Sequence, residues 1–445
     1  MQPIKVGLLG FGVVGSATFS VLARNQEEIR RRAGRGIEIV MIANRHTAPV
    51  HESISAMQNN WRGQIVDDAN QVIAHPEIEI VIEAIGGTTL AREFVLAAIA
   101  QNKHVVTANK ALIALHGNEI FSAAQARGVV VAFEAAVAGG IPIIKALREG
   151  LSANRIAWIV GIVNGTTNFI LSAMRDKNLD FYTALKQAQT LGYAEADPTF
   201  DIEGIDAAHK MSILSAMAFG VPMQFSKVYT EGITQLHSVD IRYAEQFGYH
   251  IKLLGITRRV QSSTDDHIEL RVHPTLVPKK RLLAHVHGAM NAIMIQGDAV
   301  GATMYYGPGA GGEATASSVI ADLVDVTRLH TADPDHRVPH LAFQPDTLAN
   351  FQVLPIEDIH TCYYLRLRVA DEPGVLAEIT RCLSLHGISI DALSQHEAEE
   401  GAQQTNVVML THRTQERKML SALARIEQLP TVLTPVIKIR METLE

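Results

Sequence analysis

The chain has 445 residues, 47% of them hydrophobic and 19% charged, with 39 basic against 46 acidic side chains and a net charge of −7. That length is about three times the ~150 residues of a typical domain, so several domains are expected, and the apolar content excludes disorder as the main state. No basic run is longer than Arg30-Arg31-Arg32, which argues against a nucleic-acid binder relying on phosphate neutralisation, and no stretch reaches the ~20 uncharged apolar residues of a membrane span.

From the N-terminus to about residue 135, short apolar runs at 4–9, 37–43, 78–84, 104–107 and 129–133 alternate with helical spacing at 13–22, 91–100 and 112–126. Continuous apolar strands separated by helices predict an α/β domain with a doubly wound parallel sheet covered on both faces. Its first turn, Gly10-Phe11-Gly12-Val13-Val14-Gly15, is a G-x-G-x-x-G that follows a strand and opens a helix. Glycines there permit a tight turn and close approach of backbone N–H groups to a pyrophosphate, the Rossmann dinucleotide site. A free 2′-hydroxyl is usually held by an acid at the end of the second strand, but here that end reads Ala43-Asn44-Arg45-His46. Arg45 can pair with a 2′-phosphate and so favours NADP over NAD; the alternative is an ordinary surface arginine.

Residues 136–305 predict an α+β second domain, with helices at 141–151, 166–175, 181–191 and 203–219 and strands at 251–260, 267–273, 292–296 and 303–306. A glycine-rich loop at 307–313 leads into a helix at 314–326 expected to pack back on the first domain, which would assign 306–330 to it. The stretch 331–360, with prolines at 334, 339, 345 and 355, reads as a linker. Beyond it, 361–445 follows a βαββαβ order, the ferredoxin-like pattern. The only cysteines, Cys362 and Cys382, fall in this last part. A disulfide framework is excluded, both are expected as small buried apolar residues, and a reducing cytoplasmic setting is expected.

Three longer segments carry more information than the glycine turn. They are Thr107-Ala108-Asn109-Lys110, the run from Gly161 through Asn164-Gly165-Thr166-Thr167-Asn168 to Leu171, and the run from Leu191-Gly192-Tyr193-Ala194-Glu195 through Asp206 to Lys210. In this order and spacing, residues 1–330 resemble homoserine dehydrogenase. The tail resembles an ACT domain through 369–377 and 386–390. No aspartate kinase segment precedes the dehydrogenase part, so the resemblance is to the monofunctional form.

The resemblance implies reversible NAD(P)-dependent interconversion of L-homoserine and L-aspartate 4-semialdehyde, in the route to threonine and methionine. It places Asp206 and Lys210 at positions that bind substrate and carry catalysis, Glu195 and Gly192 in substrate binding, and Lys110 near nicotinamide and substrate. Asp206 and Lys210 are four apart and share one helix face, where composition alone suggests a surface ion pair. Reduction of an aldehyde leaves an alkoxide-like oxygen that needs a proton beside it, and two lysines compete to supply it. Lys210 is assigned as donor and Lys110 as the orienting group, with His209 as a packed or capping residue. Thr88 is placed for the nicotinamide or its ribose, and Gly311 and Glu313 for closing over the cofactor. The loop from Glu134 to Ile141 resembles the family's monovalent-cation site, which implies Glu134 with the carbonyls of Val137, Gly139 and Ile141 around Na⁺ or K⁺.

The ACT resemblance implies an amino-acid effector, threonine, at the turn formed by Asp371, Pro373, Gly374 and Val375, and a homodimer or homotetramer. Neither nucleic acid nor membrane is expected as a partner. Two other readings are a different NAD(P)-dependent oxidoreductase and a catalytically idle nucleotide and amino-acid sensor. The presence of Lys110, Glu195, Asp206 and Lys210 argues against the second.

Overall fold

The computed structural model describes residues 2–57, 61–261, 266–330, 332–333, 337–395 and 403–444. Pro334 of the expected linker lies outside them. The chain divides into two units: Met1–Gly165 with Ala207–Lys227 and Met290–Phe351, and Thr166–Asp206 with Val228–Ala289 and Gln352–Glu445.

In the first unit, strands β1 (Ile4–Leu9), β2 (Ile37–Ala43), β3 (Gln64–Val66), β4 (Ile80–Glu83), β5 (His104–Thr107) and β6 (Val131–Ala132) pair in the order β3-β2-β1-β4-β5-β6. Every pairing is parallel, and the order is that of the doubly wound dinucleotide fold. Ile4, Val6, Leu8, Ile80, Val81, Val105 and Val106 are fully buried, as strands covered by helices on both faces require. The crossovers carry α1 (Val13–Arg24), α2 (Gln26–Ala33), α3 (Ala48–Ala56), α4 (Ala69–Ala74), α5 (Leu90–Ala100) and α6 (Lys110–Ala126). Helices α2 to α4 and strand β3 are additional to the expected elements. Hydrophobic spacing misses α2 because Ile29 and Ala33 are its only buried residues; Glu27–Arg30, Glu28–Arg31 and Glu28–Arg32 pairs line its exposed side.

The expected helix at 141–151 is broken. Only Ile143–Lys145 (α7) is α-helical, and Ala146–Gly150 widens into a π turn. Pro142 removes an N–H donor just before α7, and the Glu134 carboxylate caps the start from outside by accepting from the N–H groups of Ile144 and Lys145, both at 2.8 Å. A strand not foreseen, β7 (Ile156–Ile162), pairs antiparallel with β11 (Met290–Gly297), which pairs antiparallel with β12 (Gly301–Pro308). The helix α13 (Gly312–Leu329) packs along α1: an added Cβ at Gly312 would lie 3.2 Å from the Ala17 methyl. Most of α11 (Ile205–Phe219) also belongs here.

The second unit contains α8 (Gly165–Asp176, after its first residue), α9 (Phe181–Thr190), α10 (Thr199–Ile202), β8 (Tyr229–Thr230) and α12 (Ser238–Gln246). Its sheet is built on the antiparallel pair β9 (Tyr249–Val260) and β10 (His267–Pro278), and the short β8 and β13 (Gln352–Val353) run parallel to β10. From residue 360 the chain forms β14 (His360–Ala370), α14 (Val375–Leu385), β15 (Ile390–Gln395), β16 (Gln404–Thr411), β17 (Thr414–Gln415), α15 (Glu416–Ile426) and β18 (Ile437–Met441). The order β18-β14-β16-β15 is the antiparallel ferredoxin-like arrangement, and β18 also pairs with β10, aligning Thr275 with Arg440.

Alternation along β14 sorts its side chains. Tyr363, Leu365, Leu367 and Val369 meet Ile379, Leu383, Met419, Leu423 and Ile426 of the two helices in a closed apolar core, which also takes Cys382. Tyr364 and Arg366, on the other face, bond the buried Asp240 of α12. Cys362 is half-buried, and burial pushes its thiol up, away from the reactive thiolate.

Candidate active site

The glycine turn fits a dinucleotide on conformation and space. Gly10 has φ +91°, and a Cβ there would meet the Ala84 carbonyl oxygen at 2.6 Å; one at Gly15 would meet the Gly10 carbonyl oxygen at 2.1 Å. No side chain caps the start of α1, and Val13 at its first position is 73% exposed, so the amide end of the helix faces an open surface where a phosphate gains hydrogen bonds and dipole stabilisation. Asn44, at the end of β2, accepts from the Phe11 N–H at 3.1 Å and fixes the turn to the neighbouring strand end. Arg45 follows it, exposed. Gly312 packs on Val13 and Ala17, which brings the 311–313 segment to the start of α1. Gly311 has φ +118°, and the Glu313 carboxylate pairs with Arg24 at 2.8 Å.

A residue that motif reading passes over organises the next part. Glu83 ends the apolar strand β4 and is fully buried. Its carboxylate accepts from the N–H groups of Ile85 and Gly86 at 2.9 and 3.0 Å, and from the Thr107 hydroxyl at 2.6 Å. Thr107 Oγ1 accepts from the Asn109 N–H, Asn109 Nδ2 donates to the Gly87 carbonyl, and Asn109 Oδ1 caps α6 through the Leu112 N–H. One acid thus ties the loop carrying Thr88 to the helix start carrying Lys110. Its signal in the sequence is a carboxylate closing an apolar strand directly before Ala-Ile-Gly-Gly.

Lys210 lies on α11, 8% exposed, and its Nζ donates to the Val163 carbonyl at 2.7 Å, at the entrance to the Asn164-Gly165-Thr166-Thr167 run. His209 packs its ring 4.2 Å from that of Phe225. In the second unit, Asp206 in the first turn of α11 is 3% exposed. The Thr166 hydroxyl donates to the Tyr193 carbonyl at 2.7 Å and anchors the loop in which Gly192 has φ +76° and Glu195 is exposed.

In the loop from Glu134 to Ile141, Ala138 and Gly139 both take positive φ, +55° and +46°. An added Cβ at Gly139 would meet the Gly309 carbonyl oxygen at 2.6 Å, and the Ser318 hydroxyl donates to the Gly139 carbonyl. Two buried acids adjoin: the Glu134 N–H donates to Asp322 Oδ2 at 2.8 Å, and burial pushes both carboxyls up, most strongly Asp322. Each Glu134 carboxylate oxygen accepts one N–H from the start of α7, and its backbone carbonyl accepts from the Val137 N–H at 3.4 Å. Backbone carbonyls of Val137, Gly139 and Ile141 beside buried acids are hard oxygen donors of the kind a monovalent cation takes. Among the described residues no group of three or more His, Cys, Asp or Glu side chains could hold a metal ion.

The turn at 371–374 before α14 is exposed, with Gly374 at φ +97°. No described helix is long and apolar enough to cross a membrane.

Family models match three consecutive segments: the NAD-binding domain of homoserine dehydrogenase at 10–134, homoserine dehydrogenase at 142–324 and the ACT domain at 363–431. A homoserine dehydrogenase of Pseudomonas aeruginosa is 57% identical over 444 residues, covering 100% of both chains, and one of Bacillus subtilis is 38% identical over 432 residues, covering 97% and 96%. The crystal structure of a homoserine dehydrogenase from Thiobacillus denitrificans has a TM-score of 0.94 at 60% identity, covering 100% of this chain and 99% of that one. A hyperthermophilic archaeal homoserine dehydrogenase solved in complex with NADPH has a TM-score of 0.61 at 26% identity, over 75% of this chain and 99% of that one.

Proposed function

The chain belongs to the homoserine dehydrogenase family, and on that footing we propose that Lys210 is the proton donor of its reaction, with Lys110 orienting substrate and cofactor and Asp206, Glu195 and Gly192 holding the amino-acid end of the substrate. The enzyme is an NAD(P)-dependent oxidoreductase. The observation that carries the assignment is the burial of Lys210 with its Nζ held at 2.7 Å by the Val163 carbonyl, inside the family's own motif. A buried lysine ammonium placed beside this motif is a proton source for a developing alkoxide. The bound dinucleotide supplies the hydride in reduction and accepts it in oxidation. Gly10 to Gly15 hold its pyrophosphate, Arg45 at the end of β2 favours a 2′-phosphate and hence NADP, and Thr88, Gly311 and Glu313 lie along its path.

Lys110 takes the lesser role because it stands at the first position of α6, on a loop start braced by Glu83 through Thr107 and Asn109. A braced position suits a group that must hold its place. Asp206 and Glu195 complement the substrate ammonium, while a sodium or potassium ion held by Glu134 with the carbonyls of Val137, Gly139 and Ile141 stiffens the connection between β6 and α7. The C-terminal module takes threonine as feedback effector at the 371–375 turn, and the enzyme works in the cytoplasm as a homodimer or homotetramer.

Steady-state rates of alanine variants test the division of labour. Lys210→Ala lowers kcat by about 10²- to 10⁴-fold in both directions, and Lys110→Ala raises the KM values more than it lowers kcat. Near-normal turnover in Lys210→Ala with collapse in Lys110→Ala would reverse the two roles. Initial rates unchanged by millimolar threonine would reject the effector.

A further inference from the structure

We infer that Arg440, on the last strand of the C-terminal module, is a positioning residue for substrate binding and acts through Glu231 on the turn that delivers Asp206. Arg440 is 1% exposed and every arm of its guanidinium is engaged. Nε and Nη2 donate to the two oxygens of Glu416 at 2.9 and 2.8 Å, Nη1 donates to Glu231 Oε2 at 2.7 Å, and Nη2 donates to the Tyr229 hydroxyl at 3.2 Å. The guanidinium also lies 4.9 Å from the centre of the Tyr229 ring. A planar fork held at three points by charge and ring transmits a shift of its strand more faithfully than a flexible ammonium would.

What Arg440 grips is a strut. Tyr229 and Thr230 pair parallel with Arg271 and Val272 of β10, and the Glu231 N–H continues the ladder by donating to the Val272 carbonyl at 2.8 Å. Two residues on, the Ile233 N–H donates to the Ile202 carbonyl at 2.8 Å. Between them Gly232 lies so close that a Cβ would fall 2.4 Å from the Ile202 carbonyl oxygen and 2.7 Å from Glu203 Cα. Gly204, at φ +80°, rests against Thr230 and Val272, and α11 begins at the next residue with Asp206 in its first turn. A continuous run of contacts therefore connects β18 to Glu231, to the 202–204 turn and to Asp206. Beyond the Arg440–Glu231 ion pair the distance is spanned by backbone hydrogen bonds and close backbone packing, and it lies wholly within the second unit.

This inference rests on the reading of Asp206 as a substrate residue, and the test separates the two. Glu231→Ala removes the carboxylate by which Arg440 grips the strut while leaving Arg440 paired with Glu416 and the Tyr229 hydroxyl, and Glu231 is 37% exposed, so folding tolerates the change. The expected result is a KM for homoserine raised about tenfold with kcat and the KM for NADP within about twofold of the parent. Glu231→Gln, which keeps an oxygen for Arg440, recovers part of the loss, and the thermal midpoint stays level. An unchanged KM for homoserine in Glu231→Ala, alongside a raised one in Asp206→Asn, overturns the strut alone. Parallel changes in both KM values with a lower thermal midpoint also overturn it, since that is what general loosening produces. If Asp206→Asn itself leaves the KM for homoserine unchanged, the substrate reading fails and this inference with it.

Discussion

The two main sheets solve the same problem with opposite chemistry. The parallel sheet of the first unit is closed by aliphatic side chains, with Ile4, Val6, Leu8, Ile80 and Val106 fully buried and Glu83 the chief exception, placed at a strand end. The sheet of the second unit buries Arg271, Arg440, Lys252 and Glu269 on its strands, with Glu416 at the start of α15 and Glu442 just past β18. Arg271 donates to Glu269 and Glu442 at 2.9 and 2.5 Å, Arg258 reaches Glu442 at 3.0 Å, and Glu416 accepts from Tyr363, Lys438 and Arg440. An apolar interior is tolerant of which aliphatic group fills it, whereas a buried ion network accepts only partners of the right sign and reach. The first solution suits a cofactor platform that needs rigidity. The second suits a joint where a C-terminal module must seat on its neighbouring strands in one register.

The contrast is tested hardest by removing one group from each sheet. Glu416→Ala takes the shared acid from the buried Arg440 and the half-buried Lys438, leaving Arg440 its links to Glu231 and the Tyr229 hydroxyl, and should cost about 3–5 kcal/mol, the scale for breaking a buried ion pair. Leu8→Ala removes an aliphatic side chain of the parallel sheet and should cost about 2–4 kcal/mol, from lost transfer energy plus a cavity. Denaturant unfolding of each variant checks the order. A Glu416→Ala cost below that of Leu8→Ala would mean that water or side-chain movement compensates the charges, and the distinction between the sheets would fall.

The same contrast explains what could be read from the sequence. Apolar runs such as 78–84 and 104–107 announce buried strands and the glycine turn stands where a dinucleotide fold places it, so the parallel sheet was legible in outline, while α2 to α4 and the short β3 were not. In β10, Glu269, Arg271 and His273 alternate with Ile268, Leu270 and Val272, a pattern that normally marks one wet face. That face is dry because Glu442, some 170 residues later, arrives to pair with Arg271, and no local pattern encodes such a partner. Similar reasoning applies to the candidate site. Spacing placed Asp206 and Lys210 on one helix face, but it could not show that Lys210 is buried against Val163, nor that Glu83 braces the loops of Thr88 and Lys110. The helix expected at 141–151 failed because the capping acid, Glu134, lies outside the segment it controls.

Acid titration gives the subtlest separation, because Asp322 of the first unit and Glu416 of the second respond to pH with opposite sign. Burial pushes Asp322 well above the ordinary carboxyl range, and the neighbouring Glu134 charge adds to it. Its proton leaves the unfolded chain first, near pH ~4, so between there and its raised folded value the native state binds more protons and stability falls as pH rises. Burial alone would also raise Glu416, but the guanidinium of Arg440 and its hydrogen bonds outweigh that and hold it low. Its stabilising contribution is present above the unfolded value and is lost as pH falls through the folded one. Asp322→Asn should therefore raise the thermal midpoint by an amount that grows from pH 5 to pH 8. Glu416→Gln should lower the midpoint at pH 7, with the deficit shrinking toward pH 4. Thermal scans across that range decide the matter: parallel shifts for the two variants would show that Asp322 is compensated as fully as Glu416 and that the two interiors do not differ in kind.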